Sequence, residues 1–209
     1  MGEANIFLKH LETNNLHYNS TLNRFFRFMK QATGFNLLGN NKAQILILGS
    51  MPSVVSLEKQ QYYAHPRNAF WRIMAALFNQ DKIITYQQGE HLLEAQGIAV
   101  WDVLKSCARQ GSLDSAIEKH SIEPNDFIAL FTAFPQIKYV FFNGGTAESL
   151  YKKYVYQDLL AEYRSISYAK LPSTSPTYAA MHYQDKLAAW AVLEELSRAD
   201  FSPLVWQGE

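Results

Sequence analysis

At 209 residues, 48% of them apolar, the chain can bury a core of its own, and no apolar run in it is long enough to span a membrane. Its 19 Lys and Arg balance 19 Asp and Glu, so it lacks the overall basic field that marks many nucleic-acid binders, although a few phosphates could still be held locally. The single cysteine, Cys107, excludes an intramolecular disulfide and a cysteine-based zinc site and fits a reducing cytosol, and the N-terminus lacks the cleavage pattern of a secretory signal.

In chain order, residues 4–13 and 20–33 read as two helices. The second has Ser20 as its cap, Leu22, Phe25, Phe26 and Met29 as its apolar face, and Gly34 as its stop. Residues 1–40 are therefore expected to form a helical extension packed on a main domain spanning 41–209. From there the pattern alternates. QILILG (44–49) is a buried-type strand, followed by a long polar and aromatic loop and helical spacing over 67–79. A weaker helix over 86–96 ends at Gly97, and IAVWDVL (98–104) is a second strand whose end falls at or just before Leu104. Helical spacing around 124–133 puts Pro124 in a first turn. KYVFFNGG (138–145) is a third strand running into the helix TAESLYKKY, and SISYAKL (165–171) is a fourth. After PSTSPTYAAMH a final helix starts at Gln184.

Four strands separated by helices predict a parallel sheet covered on both faces. Ligands of such sheets bind at the carboxyl ends of the strands. Those ends carry Gly49-Ser50-Met51-Pro52, Trp101-Asp102-Val103, Asn143-Gly144-Gly145 and Leu171-Pro172-Ser173-Thr174-Ser175, so the polar residues of the sequence gather on one sheet edge. Each has a bland reading as well. Asn68 can cap a helix, Asn143 can be a turn residue, and Ser175 with Pro176 can start a helix. Asp102, in an apolar strand, is harder to explain by packing, because a buried carboxylate needs a partner or a task. The scattered histidines have no metal-ligand spacing, no phosphate-binding or nucleophile-elbow motif is present, and no cofactor is expected.

The series GSMPS, YYAHPRNAFW, GIAVWDVL, VFFNGG and LPSTSPTYA resembles the uracil-DNA glycosylase superfamily, and within it the hypoxanthine (deoxyinosine) DNA glycosylase branch. The likeness covers residues 43–195, with the motifs in the family's order. It implies a three-layer α/β/α sandwich around a central four-stranded parallel sheet. It implies a cytoplasmic DNA-repair enzyme, expected to be a monomer without membrane contact. Such an enzyme cuts the N-glycosidic bond of a deaminated base in DNA and leaves an abasic site, with neither metal nor cofactor.

Position by position, the resemblance makes Gly49, Ser50, Met51, Pro52 and Ser53 the first-motif loop. Many relatives carry Asp or Asn where Met51 stands, and the catalytic amide of this branch matches Asn68. Tyr63, Phe70, Asp102 and Asn143 are expected around the base. Ser173, Thr174, Ser175 and Pro176 match the loop that enters the duplex, with Tyr178 and Met181 as apolar wedges. Leu171 stands where some relatives have histidine. His65 and Arg67 are expected on the phosphate side. Nothing singles out Lys170 as a lyase nucleophile, so a monofunctional hydrolase is expected. Preference for uracil or mismatched bases, or a non-catalytic nucleic-acid-binding role, are the alternatives that the motifs leave open.

Overall fold

In the computed structural model, residues 31–80 and 85–198 are described. The central sheet has the order β3-β2-β6-β7, with β2 Ile45–Gly49, β3 Ile98–Asp102, β6 Tyr139–Asn143 and β7 Ser167–Leu171, and all neighbours are parallel. These are the four expected strands, each within a few residues of its expected span. Their apolar runs lack polar alternation because both faces are covered. Leu46, Leu48, Val140 and Phe142 face one way, against Phe127, Phe131 and Tyr151. Ile45, Ile47, Val100 and Phe141 face the other, against Phe70, Met74, Leu93 and Trp190. Helices Phe127–Ala133 and Gly145–Tyr154 thus cover one face, and Phe70–Leu77, Tyr86–Ala95 and Tyr183–Trp190 cover the other, giving the three layers.

A second, smaller sheet was not expected from the sequence. It has the order β1-β4-β5, with β1 Gln31–Thr33, β4 Leu104–Ala108 and β5 Glu123–Pro124, and it is antiparallel. Leu104 indeed lies beyond the end of β3, and after Val103 the chain enters this second sheet. Residues 31–33 are a strand rather than the end of the helix expected over 20–33, because their backbone groups pair with Ser106–Ala108. Residues 1–30, with the rest of the expected helical extension, lie outside the described residues. Pro124 is likewise not in a helical turn. It pairs with Leu104, and the helix that follows is capped by Asp126, whose carboxylate accepts the Ala129 N–H. The exposed edge of β3 is protected by residue 38, since Leu38 and Val100 exchange two backbone hydrogen bonds.

Two expected helices have different limits. The one predicted over 67–79 spans Phe70–Leu77, because Asn68 and Ala69 are spent on its entry. The C-terminal one divides into Tyr183–Trp190 and Val192–Arg198. Ser175 and Pro176 form a turn and not a helix start, so that bland reading does not hold. Among the described residues no helix is long and apolar enough to cross a membrane.

Candidate active site

The carboxyl ends of the four parallel strands open onto one cleft of about 270 Å³. Its lining includes all of the first-motif loop Gly49–Ser53, together with Tyr63, Asn68, Asp102, Asn143, Ser173, Thr174, Ser175 and Tyr178. The strand order dictates this convergence. β2 lies between β3 and β6, so Gly49 stands directly beside Asp102, and Asn143 stands beside Leu171 at the start of the last loop.

Gly49 is required by what lies next to it. A Cβ there would sit 2.4 Å from Asp102 Oδ1, so only glycine lets the carboxyl occupy that space. Asp102 is 3% exposed and its Oδ2 has no hydrogen-bond partner among the described residues. Burial, helped by the charge of Asp114 and partly offset by Arg109, pushes its carboxyl up to about 8. The group is therefore a neutral acid at neutral pH.

Asn68 lines the cleft and is also bonded at the helix entry. Its Oδ1 accepts the Phe70 N–H at 3.0 Å, satisfying the first N–H of the Phe70–Leu77 helix one residue ahead of its N-cap, Ala69. An amide oxygen has two lone pairs and its nitrogen two hydrogens, so this bond leaves most of its capacity free. Tyr63 reaches the cleft through a backbone at φ 54, a left-handed conformation that is uncommon for a bulky residue. Its ring stacks on Phe70 with centroids 4.0 Å apart. Burial, and then the neighbouring Asp102, raise the Tyr63 phenol well above its ordinary range, so it stays protonated.

Thr174 is the hub of the site. Its N–H donates to Asn143 Oδ1 and its Oγ1 accepts from Asn143 Nδ2, both at 2.8 Å. Its carbonyl accepts the Ala69 N–H at 3.0 Å, next to Asn68. One buried threonine thus joins the Asn68 segment, the end of β6 and the last loop. Two further carbonyls of that loop are also fixed. Pro172 accepts from Trp190 Nε1 at 2.9 Å, and Tyr178 accepts from the Lys186 ammonium at 2.8 Å. Gly144, at φ 101, lets Ser173 approach, since a Cβ there would meet the Ser173 Cβ at 2.9 Å. Tyr178 remains 38% exposed at the mouth.

Several expected residues stand elsewhere. Phe70 is fully buried in the core behind Tyr63, because its helix position points it at the sheet, and it supports that ring instead of facing the cleft. Met51 lines the cleft with only a small part of its side chain and packs chiefly into the core on the other face. Pro176 belongs to the loop but not to the cleft lining, and Met181 is half-buried outside it. His65 and Arg67 do not line the cleft either; His65 Nδ1 accepts the Arg67 N–H at 3.1 Å, which shapes the loop before Asn68. Asn143 lines the cleft, but its amide is first of all a link to Thr174.

The residues that sequence reasoning missed come mainly from the segment after β4. Asp114 and Ser112 line the cleft. Ser50 Oγ donates to Asp114 Oδ1 at 2.8 Å, and the Val54 N–H donates to Ser112 Oγ at 2.9 Å. The buried Arg109 donates to the Pro52 carbonyl and lies 3.7 Å from Asp114 Oδ1. The only signal for this group was an arginine directly after the strand LKSCA, followed by SLD. Thr146, at the start of the Gly145–Tyr154 helix, was also missed. Among the described residues no three His, Cys, Asp or Glu side chains group to hold a metal ion.

Comparison with known proteins bears on this site. The model of the family described as "Uracil DNA glycosylase superfamily" matches residues 37–196. A protein named hypoxanthine DNA glycosylase from Methanosarcina barkeri (strain Fusaro / DSM 804) is 40% identical over 112 residues, 53% of this chain and 70% of that one. One of the same name from Methanosarcina acetivorans is 38% identical over 115 residues, 54% of this chain and 72% of that one. A solution NMR structure of a candidate uracil DNA glycosylase from Methanosarcina acetivorans superposes with a TM-score of 0.63 at 32% identity, covering 78% of this chain and 99% of that one.

Proposed function

Since the chain belongs to the uracil DNA glycosylase superfamily, we propose that it is a monofunctional DNA glycosylase that releases a deaminated base, hypoxanthine first, and leaves an abasic site. The base preference is supported by the name of the two relatives that match at 40% and 38% identity. The observation that carries the reading is the meeting of Asn68, Asn143 and Thr174 on one cleft, with Asn143 and Thr174 hydrogen-bonded to each other and Thr174 bonded to Ala69, the residue after Asn68.

A base stacked in a duplex is out of reach, so the nucleotide turns outward at a cost on the order of a few kcal/mol. The loop 172–178, fixed at three carbonyls, is rigid enough to hold the bent backbone, and Tyr178 offers an apolar face toward the vacated space. Inside the cleft the ring packs by Tyr63, which Phe70 backs. Hypoxanthine presents a carbonyl beside an N–H. A neutral carboxyl at Asp102 can donate to the one and accept from the other, as can the remaining capacity of the Asn143 amide. Asn68 orients the attacking water. An amide is too weak a base to take a proton early, which suits a reaction where the base departs first and water adds late.

The test gives the protein labelled duplexes with a single deoxyinosine or deoxyuridine, followed by alkali. Strand breaks at deoxyinosine are expected, and Asn68→Ala should lower turnover by at least about 10²-fold, while the lost bond at the helix entry costs only about 1 kcal/mol of stability. Release of no damaged base would sink the enzyme reading and favour a non-catalytic binder. Preferential uracil release would move the assignment to a uracil glycosylase, a reading favoured by the candidate activity of the NMR neighbour.

A further inference from the structure

We propose that Asp114 is a catalytic residue of this site: its carboxylate, clamped by Ser50 and the buried Arg109, faces the deoxyribose and stabilises the cation formed as the base departs. The inference rests on the glycosylase reading and adds to it a residue outside the motifs of the resemblance.

The reaction creates a demand for negative charge. The C1′–N bond breaks with its electron pair leaving on the base nitrogen, and the sugar becomes an oxocarbenium cation. A water oxygen then adds to C1′, and the proton it loses ends on the base nitrogen, directly or through solvent. One water is consumed, and no oxidant, reductant or enzyme-bound intermediate is needed. What the protein must supply at the sugar is a fixed anion.

The first-motif loop supplies none. Met51 is 6% exposed and packed with core residues, and Ser53 caps the short helix Val54–Lys59, its hydroxyl accepting the Ser56 N–H. Two carboxyl groups do line the cleft, Asp102 and Asp114, and their surroundings differ. Asp102 has one oxygen with no donor. Asp114 Oδ1 takes the Ser50 hydroxyl at 2.8 Å and stands 3.7 Å from Arg109 Nη1, and the Thr146 hydroxyl is a further donor to the carboxylate. Two nearby carboxyls do not ionise equally, and the one with donors and a guanidinium keeps the charge. Its side chain is 33% exposed, so it is open to the cleft, while the Arg109 side chain is 1% exposed and sealed behind it. A carboxylate accepts at about four sites, so these donors do not exhaust it.

The same clamp explains the buried Arg109. Among the described residues Asp114 is the one carboxylate within ion-pair distance of Arg109, at 3.7 Å, and the guanidinium's hydrogen bond to the Pro52 carbonyl ties the pair to the first-motif loop. Asp114 therefore moves with the loop that supports the nucleotide, which keeps its distance to the sugar fixed.

The experiment separates charge from structure. Two duplexes carry, in place of one nucleoside, either a cationic pyrrolidine analogue of the sugar or its neutral tetrahydrofuran counterpart. The full-length protein should bind the cationic duplex at least about tenfold more tightly. Asp114→Asn keeps an acceptor for Ser50 and should abolish most of that preference, while affinity for the neutral duplex stays within about twofold. Turnover on deoxyinosine should fall by about 10²-fold with little change in KM. An unchanged preference in Asp114→Asn, equal loss of affinity for both duplexes, or no preference in the parent protein would overturn the proposal. Should Asp114→Asn fail to fold, Ser50→Ala takes its place: it loosens the carboxylate and should lower the preference about threefold or more, and no change overturns the proposal. Neither analogue releases a base, so a protein inactive on every damaged duplex refutes the glycosylase reading separately from this one.

Discussion

At Asp102, burial decides which protonation state the fold contains. An unfolded aspartate titrates at about 3.9, whereas the folded carboxyl holds its proton up to about 8. Between those values the unfolded chain has lost a proton that the native state keeps. Unfolding then releases protons, and stability falls as pH rises from about 4 to about 8, levelling above that. Burial also raises the Asp114 carboxyl, but the Ser50 hydroxyl and the Arg109 guanidinium beside it offset that rise. Asp102→Asn has nothing to ionise, so melting temperatures measured from pH 5 to pH 9 should show a shallower decline than in the parent protein. A parallel decline in both would mean that Asp102 is ionised in the native state. The sequence flagged Asp102 because a carboxylate inside IAVWD has no packing reason. It could not show that the neighbouring glycine makes its space, since Gly49 and Asp102 are 53 positions apart and meet only through strand register.

Among the elements, the loop after β7 and the segment after β4 close the cleft from two sides, and their rigidity comes from long-range hydrogen bonds. Thr174 carries the first. Thr174→Val keeps the size and the backbone bonds but removes the acceptor for Asn143 Nδ2. Such a loss at a partly buried amide costs about 1–3 kcal/mol. We expect a lower melting temperature, faster amide exchange through residues 173–178 and a higher KM. Wild-type exchange in that loop would show that the Asn143 link does not order it. LPSTSP was legible as a special loop from its composition. The role of Thr174 as hub was not, because its partners lie 31 positions away at Asn143 and 105 positions away at Ala69. The segment 109–114 was missed for a related reason. A loop with one arginine and one aspartate reads as solvated surface until β4 turns Arg109 inward, and β4 does so because it pairs with Gln31–Thr33 and Glu123–Pro124.

Over the whole molecule, the formal charge is zero and recognition of DNA must come from local groups at the cleft mouth rather than a basic field. Each phosphate neutralised contributes about −0.9 to the slope of log K against log salt. No Lys or Arg is among the described residues that line the cleft, so fewer than about four such contacts are expected and affinity for a lesion duplex should fall by no more than about 10²-fold between 50 and 200 mM salt. A titration showing a much steeper loss would point to an extended basic surface. The parallel sheet makes a compact arrangement possible: four strand ends deliver four loops to one place, and apolar layers on both faces hold those ends still.

The alternation of strands and helices, the four parallel strands and the polar residues at their ends are legible in the chain itself. Those properties are local: apolar runs of strand length, helical spacing between them, and turn residues at the junctions. Three things emerge from the folded chain alone: Phe70 stands behind Tyr63, Asn68 holds the helix entry while lining the cleft, and Asp114 and Arg109 join the site. Each of these depends on which side chains meet across the sheet, and such contacts are fixed by register and burial among residues far apart in the chain.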